Sequence, residues 1–244
     1  MLVRQAANVL DLLEMFRETL QPATLAEISD RLGWPRSSTY NTLYTLSERG
    51  YLYEPEHRGA FYPSPQWLSL ATTVSEAQPL PAGVHGLLTD LVAETGETSL
   101  IAAQAGTNVI FLDVVESPAL IKYAAKIGDR APITASCSGR AILAQFSAKQ
   151  LGQTLRQVKF EKLTETTLLS IEDVEMEIRR SVERGYHRNT GDRNAELFGV
   201  SLPLPSVGRR LSVTVAGPAY RIKDRFDEMA SKLISAVKRS GVAD

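Results

Sequence analysis

A single cysteine, Cys137, in a chain of 244 residues excludes an internal disulfide framework. It also excludes thiol redox chemistry that needs a resolving partner. The three histidines, His57, His85 and His187, fall at no metal-ligand spacing, so neither a metal site nor a cofactor is expected. No apolar run reaches the length of a membrane span. The opening segment lacks a signal-peptide pattern, since Arg4 and Asn8 lead into the acidic, amphipathic LDLLEMFRE. A cytoplasmic protein without a membrane partner is the expectation. An excess of either charge is missing as well: 27 Lys and Arg against 28 Asp and Glu leave a net charge of −1. Bulk electrostatics therefore names no partner. What remains is a 43% apolar chain, long enough for one large or two ordinary domains with cores of their own.

The most informative stretch is residues 35–48, PRSSTYNTLYTLSE. At helical spacing Thr39, Leu43 and Leu46 share one side, while Arg36, Ser37, Tyr40, Asn41, Tyr44 and Ser47 occupy the other. Pro35 suits a helix start, and Gly50 suits the position just past a helix end. The polar side carries hydroxyls, an amide and an Arg in place of the Lys and Glu of an ordinary solvated helix. Ser38 adds a further hydroxyl near the start. Such groups donate to phosphates and read base edges.

The flanking segments fit that reading. Residues 2–20 carry Val9, Leu12, Leu13, Phe16 and Leu20 at helical spacing, and Pro22 ends the pattern. Thr24 and Glu27 form a capping box for a second helix that stops at Gly33. Only Trp34 then separates Gly33 from Pro35, which is helix-turn-helix spacing. Beyond Gly50, two short aromatic segments at 51–54 and 60–62 flank the turn PEHRG, with Arg58 at its tip. Three helices and a two-stranded wing make a winged helix-turn-helix over residues 1–64. The chain's first 65 residues hold six Arg, no Lys and eight acidic residues, net −2, so one copy is expected to bind weakly and several copies together more tightly. Residues 65–79 read as a linker helix whose Trp67, Leu68 and Leu70 would need cover.

Residues 80–244 read as an α+β domain. A helix over 82–94 ends at Gly96. Strand patterns follow in TSLIAAQ, VIFLDVVE and LIKYAAKI, an antiparallel meander. Helices are expected from residues 137–138, from Ser147, and from Ser170 with Ile171, Val174, Ile178 and Val182 buried. Strands are expected at YHRN, LFGVSLPL and RLSVTVAG, and a last helix over 226–237. Cys137 ahead of a helix could be an activated nucleophile, but no His-Asp pair serves it; a turn whose backbone donors face a ligand carboxylate is the plainer reading. Asp192 with Arg193 resembles a solvated turn more than a catalytic dyad. Lys122 and Arg140 could neutralise an anion, though solvated surface is the commoner place for both.

Five pieces, in order, resemble the IclR family of bacterial transcription regulators: GWPRSSTYNTLYTLSERGYL, TGETSLIAAQAGTNVIFLDVVES, GDRAPITASCSGRAILAQFS, ERGYHRNTGD and GVSLPLPSVGRRLSVTVAGPAYRI. The match spans nearly the whole chain. It implies a winged helix-turn-helix, a linker helix and a GAF-like, profilin-like antiparallel sheet with helices, assembled as a homodimer or homotetramer. A small-molecule effector, a small or aromatic organic acid, would lie beneath the loop PITASCSGR. Carried over by position, its lining would be Leu120, Tyr123, Ala131, Ser136, Cys137, Asn189, Leu197, Gly199, Thr214 and Ala216. Asn189 stands where an acidic residue is common, Gly199 where a larger one is, and Glu196 where glycine is typical, which implies a roomier, less acidic pocket. An anion there would meet backbone N–H groups at a helix start. The DNA partner would be a double-stranded operator with an inverted repeat, met by Arg36, Ser37, Ser38, Tyr40, Asn41, Tyr44 and Arg58. An enzyme of small-molecule metabolism with an appended helical domain is the competing reading, and a bare oligomerisation module the third; no acid, base or metal set supports the enzyme.

Overall fold

A computed structural model describes residues 3–55, 59–77, 80–206 and 209–242. The chain divides into two compact units, residues 1–79 and 80–244. In the first, α1 (Arg4–Thr19) is followed by β1 (Ala23–Thr24), α2 (Leu25–Leu32), α3 (Arg36–Glu48), β2 (Leu52–Tyr53), β3 (Ala60–Pro63) and α4 (Gln66–Ala77). The Thr24–Glu27 capping box forms as its spacing predicts. Gly33 takes a left-handed φ of 64°, and Ser29 clamps the turn, its Oγ donating to Trp34 O at 2.7 Å. Leu12, Met15, Phe16, Ile28, Leu43, Leu46 and Leu52 form the core.

Two features of this unit differ from the sequence reading. The small sheet has three strands in the order β1-β3-β2, because Ala23 and Thr24 pair with Phe61 and Ala60. A two-residue strand beside a capping box carries no period-2 pattern to announce it. Trp67 is not left for a partner to cover: half-buried, it donates Nε1–H to Tyr51 O at 2.9 Å and packs its ring, tilted by 48°, 4.5 Å from that of Tyr51. Leu68, Leu70 and Val74 on the same helix are exposed.

The second unit runs α5 (Val84–Thr95), β4 (Thr98–Ala105), β5 (Asn108–Val115), β6 (Arg130–Pro132), α6 (Cys137–Leu143), α7 (Ala148–Leu155), α8 (Ile171–Arg184), β7 (His187–Thr190), β8 (Leu197–Ser206), β9 (Arg209–Pro218), α9 (Ala219–Ile222) and α10 (Phe226–Ser240). Six strands form one antiparallel sheet in the order β6-β5-β4-β9-β8-β7. Strand alternation sorts neighbours to opposite faces. Ile101, Val213 and Val215 join Leu88, Leu91 of α5 and Met229, Leu233 of α10 on one face. Leu100, Ala102 and Phe111 join Ile142 of α6, Leu155 of α7 and Val174 of α8 on the other.

The segment LIKYAAKI is not a strand. Leu120, Ile121 and Ile127 are exposed, whereas Ala125 is buried, so the segment lacks the alternation that a half-buried strand requires. The partner of β5 is instead the short β6, entered through a turn in which Gly128 donates to Phe111 O at 2.8 Å. Val182, expected on the buried side of α8, is exposed, and Ser181 takes that side.

Trp67→Ala removes both a ring contact and a hydrogen bond that hold α4 to the first unit. Stability of that unit is expected to fall by about 2–3 kcal/mol. Denaturant unfolding followed by the fluorescence of Trp34, the other tryptophan, measures it, and an unchanged midpoint would show that α4 contributes nothing to the unit.

Candidate nucleic-acid interface and ligand cavity

Helix α3 buries Thr39, Leu43 and Leu46 and exposes Arg36, Ser37, Tyr40, Asn41 and Tyr44. Tyr40 and Tyr44, one turn apart, stack with ring centroids 5.9 Å apart. Asn41, three residues before Tyr44, is exposed on the same helix. Ser38 is half-buried at the flank of this face, and Pro35 precedes the helix, which begins at Arg36. Arg58 lies outside the described residues.

The second candidate site is a cavity in the other unit, holding about 410 Å³ of empty space when its open mouth is included. Nine of the ten residues expected to line a pocket border it. Asn189, Gly199 and Ala216 sit in one cross-strand row on β7, β8 and β9. Leu197 and Thr214 lie on the same strands, and Ala131 is on β6. Ser136 and Cys137 open α6, and Tyr123 comes from the loop before β6. Leu120 does not belong: it is fully exposed, because its segment is a surface loop and not the strand that would have turned it inward.

The loop above the cavity is held by close packing. A Cβ on Gly139 would lie 2.0 Å from Ile133 O, so only glycine lets the first turn of α6 touch the loop backbone. Gly199 answers to a similar constraint, since a Cβ there would lie 2.9 Å from Val215 O; its missing side chain serves strand packing more than ligand room.

The expected anion seat at the start of α6 is partly taken by the protein itself. That helix is only seven residues long, and Ser136 Oγ already accepts from Gly139 N–H at 3.2 Å while donating to Pro132 O at 2.8 Å. Asn189 is equally engaged, its Nδ2 donating to Leu197 O at 2.9 Å and its Oδ1 accepting from Asp192 N–H at 2.9 Å. Thr214 donates to Ser201 Oγ at 2.9 Å. Burial pushes the Cys137 thiol up to about 12, so at neutral pH it is a protonated, unreactive group. Burial likewise raises Tyr123, which lines the cavity as a neutral phenol.

Behind the wall lies a charge that composition did not disclose. Arg140, read as surface, is the largest fully buried side chain, and Asp192, read as a solvated turn residue, is buried with it. Arg140 Nη1 lies 2.6 Å from Asp192 Oδ2 and donates to Thr134 O at 2.7 Å; Nη2 donates to Arg188 O at 2.6 Å. Arg140 Nε, Asp192 Oδ2 and His187 Nδ1 have no aligned hydrogen-bond partner among the described residues. Lys122 is half-buried and paired with Glu116 at 2.7 Å.

The cavity also uses residues that the sequence reading passed over, including Leu100, Phe111, Ala135, Ser138 and Arg193. Leu100 and Phe111 were legible as strand residues but not as cavity walls. Arg193 carried no such signal, because it reaches the cavity only through the path of the β7–β8 connection. Among the described residues no three His, Cys, Asp or Glu gather at metal-binding distance, and no helix is long and apolar enough to cross a membrane.

His187 supplies a pH test of the buried cluster. Burial, then the charges of Arg140 and Arg184, hold its pKa down to about 3 from the ordinary 6.5. A depressed histidine contributes stability that is present above pH 6.5 and lost as pH falls toward 3, because the unfolded chain takes up the proton first. Between pH 6.5 and 5 the wild type should lose about 2 kcal/mol more than His187→Gln. Denaturant melts at the two pH values check this, and parallel losses in both proteins would remove His187 from the account.

Comparison with known proteins adds to this geometry. The model of the IclR helix-turn-helix domain matches residues 5–56, and that of the bacterial transcriptional regulator IclR C-terminal domain matches residues 72–240. The transcriptional repressor IclR of Escherichia coli (strain K12) is 27% identical, over 99% of this chain and 90% of the relative. The acetate operon repressor of Salmonella typhimurium is 26% identical over the same shares. The crystal structure of the Thermotoga maritima IclR superposes with a TM-score of 0.75 at 19% identity, covering 98% of this chain and 99% of that one. An IclR homolog complexed with 4-hydroxybenzoate, from Microbacterium hydrocarbonoxydans, gives a TM-score of 0.70 at 19% identity, covering 96% and 99%.

Proposed function

The chain belongs to the IclR family of bacterial transcription regulators, and from that premise we propose that its DNA binding is controlled by a small organic acid held in the cavity beneath residues 133–140. Residues 1–64 serve as the reading head, 65–79 as the linker helix and 80–244 as the effector domain. Two or four copies act together on an inverted-repeat operator, since a net-acidic head supplies few phosphate contacts by itself. The observation that carries the ligand half is the gathering of residues from β6, α6, β7, β8 and β9 around one largely apolar cavity. A related fold complexed with 4-hydroxybenzoate supports the ligand class. That relatives are named repressors favours a regulator over an enzyme.

On the DNA side, Asn41 is the reader of an adenine, because a side-chain amide pairs bidentately with the N6 and N7 edge. Asn41→Ala should cost about 1–3 kcal/mol at one base position and relax discrimination there. Gel shifts on operator variants carrying single-base changes measure this; equal weakening on every sequence would make Asn41 a phosphate contact.

The ligand side is tested by filling the cavity. Ala216→Phe places a ring in the floor row shared with Gly199 and Asn189. Acids that shift operator affinity of the wild type, sought with the upstream DNA of the protein's own gene, should no longer shift it in the variant. A response undiminished in Ala216→Phe would put the effector elsewhere.

A further inference from the structure

We propose that Arg193 is the counter-charge for the effector's carboxylate, so that an acid binds with its charged end at the neck of the cavity and its apolar body inside. This rests on the reading of the cavity as the effector site. The first support is elimination. Every other polar lining group described above is neutral; Ser136, Asn189 and Thr214 already spend their side chains on protein partners, and Ser138 offers a hydroxyl but no charge. Arg193 brings the one positive charge among the described lining residues.

The second support is position. Arg193, Tyr123 and Leu197 border both the cavity and an outer cleft of about 690 Å³ counted with its open mouth, so Arg193 stands where the two spaces meet. Arg193 is exposed, and a carboxylate meeting it there keeps part of its water, avoiding the cost of carrying an anion into an apolar chamber. An apolar body gains by going the other way, toward Leu100 and Phe111.

The third is the orientation of the guanidinium. Its Nη1 donates to Arg130 O at 3.1 Å, linking the β7–β8 connection to β6, although β6 and β7 are opposite edges of the sheet. That bond ties one nitrogen of the guanidinium to the protein. Nε and Nη2, which form one edge of the fork, make no hydrogen bond among the described residues and match the two oxygens of a carboxylate. A ligand can therefore take that edge while the Arg130 link stays intact.

Calorimetry on the full chain with two acid and amide pairs, benzoate with benzamide and hexanoate with hexanamide, tests the inference, because each pair keeps shape and changes charge. The wild type is expected to bind at least one acid about tenfold or more tightly than its amide. Arg193→Gln should bring that acid down to the affinity of the amide and leave the amide unchanged, and Arg193→Lys should fall between, keeping charge without the fork. A wild type that binds amides as tightly as acids, or that binds none of the four at millimolar concentration, overturns the proposal. So does an acid preference that survives in Arg193→Gln. Ala216→Phe separates the two levels: if it abolishes acid binding while Arg193→Gln keeps the preference, only the role of Arg193 fails. If it binds acids as the wild type does, the cavity is not the site.

Discussion

The second unit is organised around a buried cation. Arg140 joins three pieces of chain that no strand pairing connects: the loop at Thr134, strand β7 at Arg188, and the turn at Asp192. A buried ion pair of this kind contributes little beyond what an apolar filling of equal volume would give, whereas removing one partner strands the other and costs about 3–5 kcal/mol. Its consequence is geometric. By tying the roof loop to the turn beside Arg193, it holds two sides of the cavity in one arrangement. The remaining support is neutral: Thr164 and Thr167 donate to the carbonyls of Gly191 and Asp192 at 2.8 and 2.7 Å, and Asn189 caps the same turn.

The cavity follows from that frame together with two close backbone approaches. Gly139 lets α6 lie against Ile133, and Gly199 lets β8 lie against β9. Ser136, Asn189 and Thr214 spend their side chains on protein partners, and the interior beyond Arg193 is left uncharged and largely apolar. Such a surface rewards an apolar body and offers nothing to a charge. Discrimination between ligands must then come from the rim, where solvent and an arginine meet.

The first unit was legible because its signals are local. A capping box, a left-handed glycine, a one-residue turn and a helix with one apolar stripe each declare themselves within a few residues, and the three helices form where those signals lie. The helices and most strands of the second unit were legible for the same reason. The failures have a common cause. Residues 120–127 carry β-branched and aromatic residues without a pairing partner, and neighbours distant in sequence decide pairing. Arg140 and Asp192 looked like surface because composition treats charge as exposed, and nothing within either segment reveals that the other will neutralise it. Arg193 is the extreme case: its place at the cavity depends on the path of the β7–β8 connection, from which its side chain reaches β6 at the opposite edge of the sheet.

What a ligand can do from this cavity is bounded by affinity differences. A bound acid moves an equilibrium between two arrangements of the protein only so far as it binds one better than the other, and equal affinity would move nothing. The walls differ in their freedom to supply such a difference. The row Asn189, Gly199 and Ala216 belongs to paired strands and has little room to give. The roof differs: Ala135 borders both this cavity and, with Pro132 and Thr134, a separate cleft of about 670 Å³ counted with its open mouth. A ligand pressing on the paired strands meets a backbone fixed by its ladder, whereas one pressing on the roof meets a loop whose ties to the Asp192 turn are side-chain bonds. The roof loop, tied through Thr134 to Arg140 and so to β7 and the Asp192 turn, is thus the element through which occupancy of the cavity would reach the rest of the unit.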